Sequence, residues 1–266
     1  MLTKRLIACF DIKNGMVTKA VRFQDNIDVA PAAELARRMY EGGVDEIVFY
    51  DIMASAERRK TDLATVRAVA ERVFVPFTVG GGIKTLADMY DVLNAGAEKI
   101  SVDSMAVRNP HIITEGADAF GRQCVVLSMQ VKRVEVSAAI PSGYEIAVDG
   151  ARTFTGMDAV EWAKRGEALG AGEICVNSID NDGGCEGYDL EITKAVADAV
   201  RIPVIASGGA GLPRHIAAAF LDTGASAAII SSMLYSPRLA KNFTVPEIKD
   251  ELSAAGIPVR PSLFPS

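Results

Sequence analysis

The chain has 266 residues, 49% hydrophobic and 23% charged, with a formal net charge of −6 at pH 7. That length and apolar content can bury one large core, and the acidic balance speaks against a general binder of nucleic acid or other polyanions. Two histidines, and four cysteines (Cys9, Cys124, Cys175, Cys185) without CxxC or CxH spacing, give no reason to expect a metal centre or a cofactor.

Eight short apolar runs recur along the chain: Leu6–Phe10, Glu46–Asp51, Pro76–Val79, Lys99–Val102, Gln123–Met129, Glu173–Asn177, Pro203–Ala206 and Ala227–Ile230. Runs that are apolar throughout suit strands covered on both faces, and the longer segments between them carry helix periodicity. Pro31 to Tyr40 begins with proline and stops before Gly42-Gly43, and Asp158 to Leu169 stops at Gly170, as helices do. Two intervals exceed what a strand-to-helix connection needs: Ile12–Ala30 after the first run and Val131–Thr153 after the fifth. Both are read as loops that cover or grip a substrate. No run approaches the roughly eighteen apolar residues of a membrane span, and no charged-then-apolar leader is visible, so a cytoplasmic protein without membrane contact is expected.

The second half repeats the first. Val75-Pro76-Phe77-Thr78-Val79-Gly80-Gly81-Gly82 returns as Ile202-Pro203-Val204-Ile205-Ala206-Ser207-Gly208-Gly209, a shift of 203 − 76 = 127, and Glu46 returns as Glu173 at the same interval. A duplicated half-chain points to a closed fold made of two halves. With eight strand–helix units, this predicts an α/β protein: one (β/α)8 TIM barrel over residues 1–266, with half-repeats of approximately 1–120 and 121–240.

In such a barrel the loops after the strands form the working face. Gly80-Gly81-Gly82 and Gly208-Gly209-Ala210-Gly211 each sit between a strand and a helix, where backbone amides and a helix N-terminus favour an anion. A tight turn is the alternative. The next strands end in Asp103-Ser104 and Ser231-Ser232, so two opposed anion sites are expected, fitting a substrate phosphorylated at both ends. Asp11, Asp51, Asp180 and Asp182 stand at or just past strand ends as candidate general acids or bases, with helix capping the other reading for Asp51 and Asp180. Asp11 has Lys19 in the adjoining loop, and the repeat aligns it with Gln130. At the opposite end, Arg5, Glu46, Lys99 and Glu173 each open a strand. Charges there are costly unless paired, so a ring of two cations and two anions is expected, whether structural or functional.

These features together resemble the cyclase subunits of imidazole glycerol phosphate synthase, from histidine biosynthesis. The resemblance runs from Leu2 to about Arg260. It is most specific in Phe77-Thr78-Val79-Gly80-Gly81-Gly82-Ile83, in Gly156-Met157-Asp158-Ala159-Val160-Glu161-Trp162-Ala163 and in Ile205-Ala206-Ser207-Gly208-Gly209-Ala210-Gly211. It implies a lyase that needs no cofactor and takes ammonia from a glutaminase subunit docked at the N-terminal face of the barrel. The ammonia cleaves and cyclises a bis-phosphorylated ribulosyl aminoimidazole nucleotide. Asp11 is implied as a catalytic acid/base, and Lys19, Gly82, Asp103, Ser104, Asn177, Asp182, Gly183, Gly209, Ser231 and Ser232 as substrate or phosphate contacts. Arg5, Glu46, Lys99 and Glu173 are implied as an ammonia gate.

The resemblance also implies a second catalytic aspartate at the position of Gln130, an amide that neither gives nor takes a proton near neutral pH, and an asparagine at the position of Asp103. A carboxylate at 103 facing a phosphate would repel it. The cyclase is the expected function. A diverged paralogue passing ammonia to another acceptor, as in amidino-sugar pathways, or a non-catalytic partner that stimulates a glutaminase, fits the same gate.

Overall fold

The computed structural model describes residues 2–21, 24–57, 59–237 and 239–261. Among them lie twelve strands: β1 (Arg5–Lys13), β2 (Met16–Val21), β3 (Gln24–Pro31), β4 (Glu46–Asp51), β5 (Phe77–Gly80), β6 (Lys99–Val102), β7 (Val125–Arg133), β8 (Tyr144–Val148), β9 (Thr153–Asp158), β10 (Glu173–Ser178), β11 (Val204–Ser207) and β12 (Ala227–Ile230). Eight of them pair in parallel in the order β1-β4-β5-β6-β7-β10-β11-β12, and β12 pairs back onto β1. The expected (β/α)8 barrel is therefore closed, with helices between its strands.

The two long intervals after the first and fifth barrel strands are not loops. β1 and β7 run past the barrel rim, and β2–β3 and β8–β9 fold back on them as antiparallel ribbons. The ribbons occupy equivalent places in the two halves. Smaller differences sit at strand starts: Pro76 and Pro203 lie outside their strands, consistent with the missing N–H of proline, and Arg122–Cys124 forms a 3-10 turn before β7.

Helix punctuation works as read. Ala32–Glu41 follows Pro31 and ends at Gly42. Ala159–Leu169 is capped by the Asp158 carboxylate, which accepts from the N–H groups of Val160 and Glu161, and ends at Gly170 in the left-handed region, φ 113°. No helix among the described residues is long and apolar enough to cross a membrane.

The core has two layers. Leu6, Ala8, Phe10 and Ile12 of β1 join the large cluster between strands and helices, while Ile7 and Cys9 join Val48, Val126, Cys175, Ile205, Ala227 and Ile229 in a separate cluster inside the barrel. Side chains alternate along a strand, so Arg5, Ile7, Cys9 and Asp11 share the inner face of β1. Six residues of strand rise about 20 Å, which puts Arg5 at one opening and Asp11 at the other. A register slip of one residue would turn both outward.

Candidate active site

At the C-terminal mouth, β2 pairs with β1 so that Thr18 lies opposite Asp11, and the next residue, Lys19, reaches over the opening. The Lys19 ammonium lies 3.4 Å from Asp11 Oδ2 and donates to Ser231 Oγ at 2.9 Å. Burial alone would lower the Lys19 pKa, but the neighbouring Asp11 charge outweighs it and holds the ammonium above its ordinary value. The Tyr235 hydroxyl meets Ser231 Oγ at 2.7 Å and donates to the Cys9 carbonyl, tying the short helix Ser232–Tyr235 to β1. Asp182 enters the same group. Burial raises its pKa, Lys19 opposes that rise and Asp11 adds to it.

Across the mouth, Gln130 Nε2 donates to Asp103 Oδ2 at 2.6 Å. Burial pushes the Asp103 carboxyl up to about 7; the Gln130 amide and Arg108 oppose this, and the charge of Asp149 reinforces it. No cation forms an ion pair with Asp103 among the described residues. Asp149 reaches this corner from the tip of the second ribbon, where its N–H donates to Ser104 Oγ at 2.9 Å and its carboxylate takes Arg108 Nη2 at 2.7 and 2.5 Å. The second ribbon thus folds down onto Asp103-Ser104.

The four candidate acids separate into two pairs. Asp51 points out of the barrel, accepts from the N–H groups of Met53, Ala54 and Asp62, and is held by Arg59 at 2.6 Å. Asp180 is held by the Lys132 ammonium and the Arg133 N–H. Both belong to local structure, while Asp11 and Asp182 face the mouth.

The glycine turns occupy matching places. A Cβ on Gly81 (φ +89°) would come within 2.4 Å of the Asp51 carbonyl oxygen, and one on Gly208 (φ +87°) within 2.7 Å of the Ser178 oxygen. These two glycines are demanded by close packing against the preceding strand. Gly82 and Gly209 follow them at the mouth, and Ser207 Oγ donates to Asn177 Oδ1 at 2.9 Å beside the second turn. The Cys185 thiol neighbours Ser232, in the loop that also carries Gly183. Beside the first turn, Arg59, Lys60, Gly82, Lys84, Thr85 and Asp88 line a groove of about 370 Å³. Arg59 and Lys60 are ion-paired to Asp51 and Asp88, which leaves Lys84 as the cation in that groove without an ion pair among the described residues. Sequence reasoning did not single out these cations, since exposed basic residues beside a helix start are common.

At the N-terminal opening the expected ring is closed. Arg5 reaches Glu46 at 2.5 Å and Glu173 at 2.8 Å, and Lys99 reaches the same two carboxylates at 3.1 and 3.0 Å. Each charge touches two of opposite sign.

A family profile described as Histidine biosynthesis protein matches residues 5–240. The chain is 55% identical to the imidazole glycerol phosphate synthase subunit HisF of Desulfatibacillum aliphaticivorans, over 99% of this chain and 100% of that one. It is 54% identical to the subunits of the same name from Desulfosudis oleivorans and Nitratidesulfovibrio vulgaris, in each case over 98% of this chain and 99% of the relative. A barrel closed in the expected order, matched by profile and by relatives over nearly its whole length, places this chain in the histidine biosynthesis protein family, alongside the HisF subunits of imidazole glycerol phosphate synthase.

Proposed function

We propose that this chain is the ammonia-using cyclase of imidazole glycerol phosphate synthase. It converts the bis-phosphorylated ribulosyl aminoimidazole nucleotide and ammonia into imidazole glycerol phosphate and aminoimidazole carboxamide ribonucleotide, in the cytoplasm. The observation that carries this reading is the polarity of one strand. β1 holds Asp11, with Lys19 and Ser231, at the mouth between the two glycine turns, and Arg5, locked into a four-charge ring, at the opposite opening.

Asp11 is the acid/base nearest the reacting sugar, and Lys19 holds its charge and offers N–H donors to the substrate. Gly82 and Ser104 take one phosphate; Gly183, Gly209, Ser231 and Ser232 take the other, with Asn177 and Asp182 lining the space between. A glutaminase docks over the charged ring, and ammonia enters there. Neutral ammonia crosses an apolar interior at far lower cost than ammonium, because a bare charge pays a large desolvation penalty. The cluster of Ile7, Val48, Val126, Ile205 and Ile229 supplies such an interior.

Purified protein supplied with the ribulosyl substrate and an ammonium salt should form both products without any partner, and glutamine should replace ammonium only when a glutaminase subunit is added. Absence of turnover with ammonium at every pH from 6 to 9 would overturn the reading.

A further inference from the structure

A cyclase of this kind must move protons at more than one atom. A ketone that condenses with ammonia first gives a carbinolamine. Its hydroxyl takes a proton as the C–O bond breaks and leaves as water, and the resulting iminium nitrogen then gives up a proton to a base. One carboxyl can serve both steps if it starts as the acid, is left as the carboxylate, and recovers its proton from the nitrogen. Such a group works best with a pKa near the working pH.

The acids at the mouth differ in what holds them. Asp11 and Asp182 share the Lys19 cation. Asp103 has no ion pair among the described residues and is held by the Gln130 amide. An amide is the partner that suits a carboxyl in both protonation states: its N–H donates to a carboxylate, and after a half-turn of the amide its oxygen accepts from the acid. Gln130 Oε1 is buried with no partner among the described residues, so the acceptor that this half-turn would use is free. The other charged or titratable groups facing Asp103 are Asp149 from the second ribbon, Arg108 from the following helix and the Cys175 thiol from inside the barrel. Asp149 and Arg108 are engaged with each other. Burial, reinforced by Asp149 and only partly opposed by Gln130 and Arg108, pushes the Asp103 carboxyl up to about 7, within the range in which a general acid/base works.

We propose that Asp103 is a second catalytic residue, giving and taking a proton at the substrate across the mouth from Asp11, with Gln130 as its positioning residue. This rests on the cyclase reading and assigns to it a group that the repeat alone does not reveal, since the repeat aligns Asp11 with Gln130.

The test is the pH dependence of kcat with ammonium for the parent protein, Asp103→Asn and Gln130→Leu. The amide introduced by Asp103→Asn keeps a hydrogen-bond acceptor for Gln130, so the variant should fold, with a thermal unfolding midpoint no lower than the parent's. Asp103→Asn should lose about 10²–10⁴-fold in kcat, the usual contribution of one general acid or base, with KM little changed. The parent's inflection near pH 7 should disappear in Asp103→Asn. In Gln130→Leu it should move to higher pH, because the amide stabilises the carboxylate. Asp103→Asn within threefold of the parent, an effect confined to KM, or an inflection that persists in it would overturn the proposal. Should Asp103→Asn not fold, the inflection decides alone: an unshifted one in Gln130→Leu overturns the role of Asp103. A parent protein that shows no turnover overturns the cyclase reading, and this assignment with it; an active parent with an equally active Asp103→Asn overturns only the assignment.

Discussion

Gln130 and Asp103, at the ends of neighbouring strands, are joined by a 2.6 Å hydrogen bond at the rim of the barrel mouth. The bond changes what each residue means. Asp103 is turned to an amide on the next strand, and Gln130 is the group that holds a carboxyl in place.

That carboxyl makes stability depend on pH in a defined direction. In the folded protein Asp103 titrates near 7, raised by burial and by Asp149; in the unfolded chain an aspartate titrates near about 3.9. Between those values the folded state keeps a proton that the unfolded chain has lost, so this group's contribution to stability falls as pH rises through the window and levels off above it. Asp103→Asn removes the titration and should be more stable than the parent at pH 8 by on the order of 1–3 kcal/mol. Urea unfolding at pH 4.5, 6 and 8 measures this, and equal pH slopes for the two proteins would contradict it.

Asp11→Asn leaves size and shape unchanged and should lower kcat by about 10²–10⁴-fold while the fold persists. Lys19→Met removes the cation shared by Asp11 and Ser231, and should reduce kcat/KM further than kcat, since it also loses a substrate donor. Steady-state kinetics beside circular dichroism separates these outcomes from unfolding.

Lys99→Met leaves Glu46 and Glu173 sharing Arg5 alone. Removing one partner of a buried ion pair costs about 3–5 kcal/mol; the ring side chains keep 6 to 22% of their exposure, so about 2–3 kcal/mol is expected here. The ratio of glutamine-driven to ammonium-driven turnover in the glutaminase complex should fall, because ammonia arriving from the partner must pass the altered ring. An unchanged ratio would make the ring purely structural.

Gly81→Ala sets a Cβ 2.4 Å from the Asp51 carbonyl oxygen at φ +89°, and should destabilise by about 1–3 kcal/mol. Gly208→Ala, 2.7 Å from the Ser178 oxygen, should behave alike. Thermal denaturation of both tests whether the two halves of the barrel use the same turn.

The barrel and its charged ring were legible in the sequence because the inner face of a strand recurs every second residue and each half carries the same phrases. Arg5, Ile7, Cys9 and Asp11 therefore declare one face by their spacing alone. The ribbons were not legible, because β2–β3 and β8–β9 mix apolar and polar residues without a sustained alternation, so their pattern does not stand out from a long loop. The Asp103–Gln130 bond was also hidden. It joins residues 27 apart on adjacent strands, and only the register of β6 on β7 brings them together. For Asp51 and Asp180 the sequence left acid/base and capping roles both open, because a position at a strand end does not fix which way the side chain points; the structure assigns both to local structure.

The most direct measurement is turnover with ¹⁵N-labelled ammonium and the unlabelled ribulosyl substrate, the products resolved by mass spectrometry. The account predicts one ¹⁵N in the ring of imidazole glycerol phosphate and none in the released aminoimidazole carboxamide nucleotide. It also predicts loss of both products in Asp11→Asn. Label in the released nucleotide, or unlabelled products formed as fast in Asp11→Asn as in the parent, would contradict it.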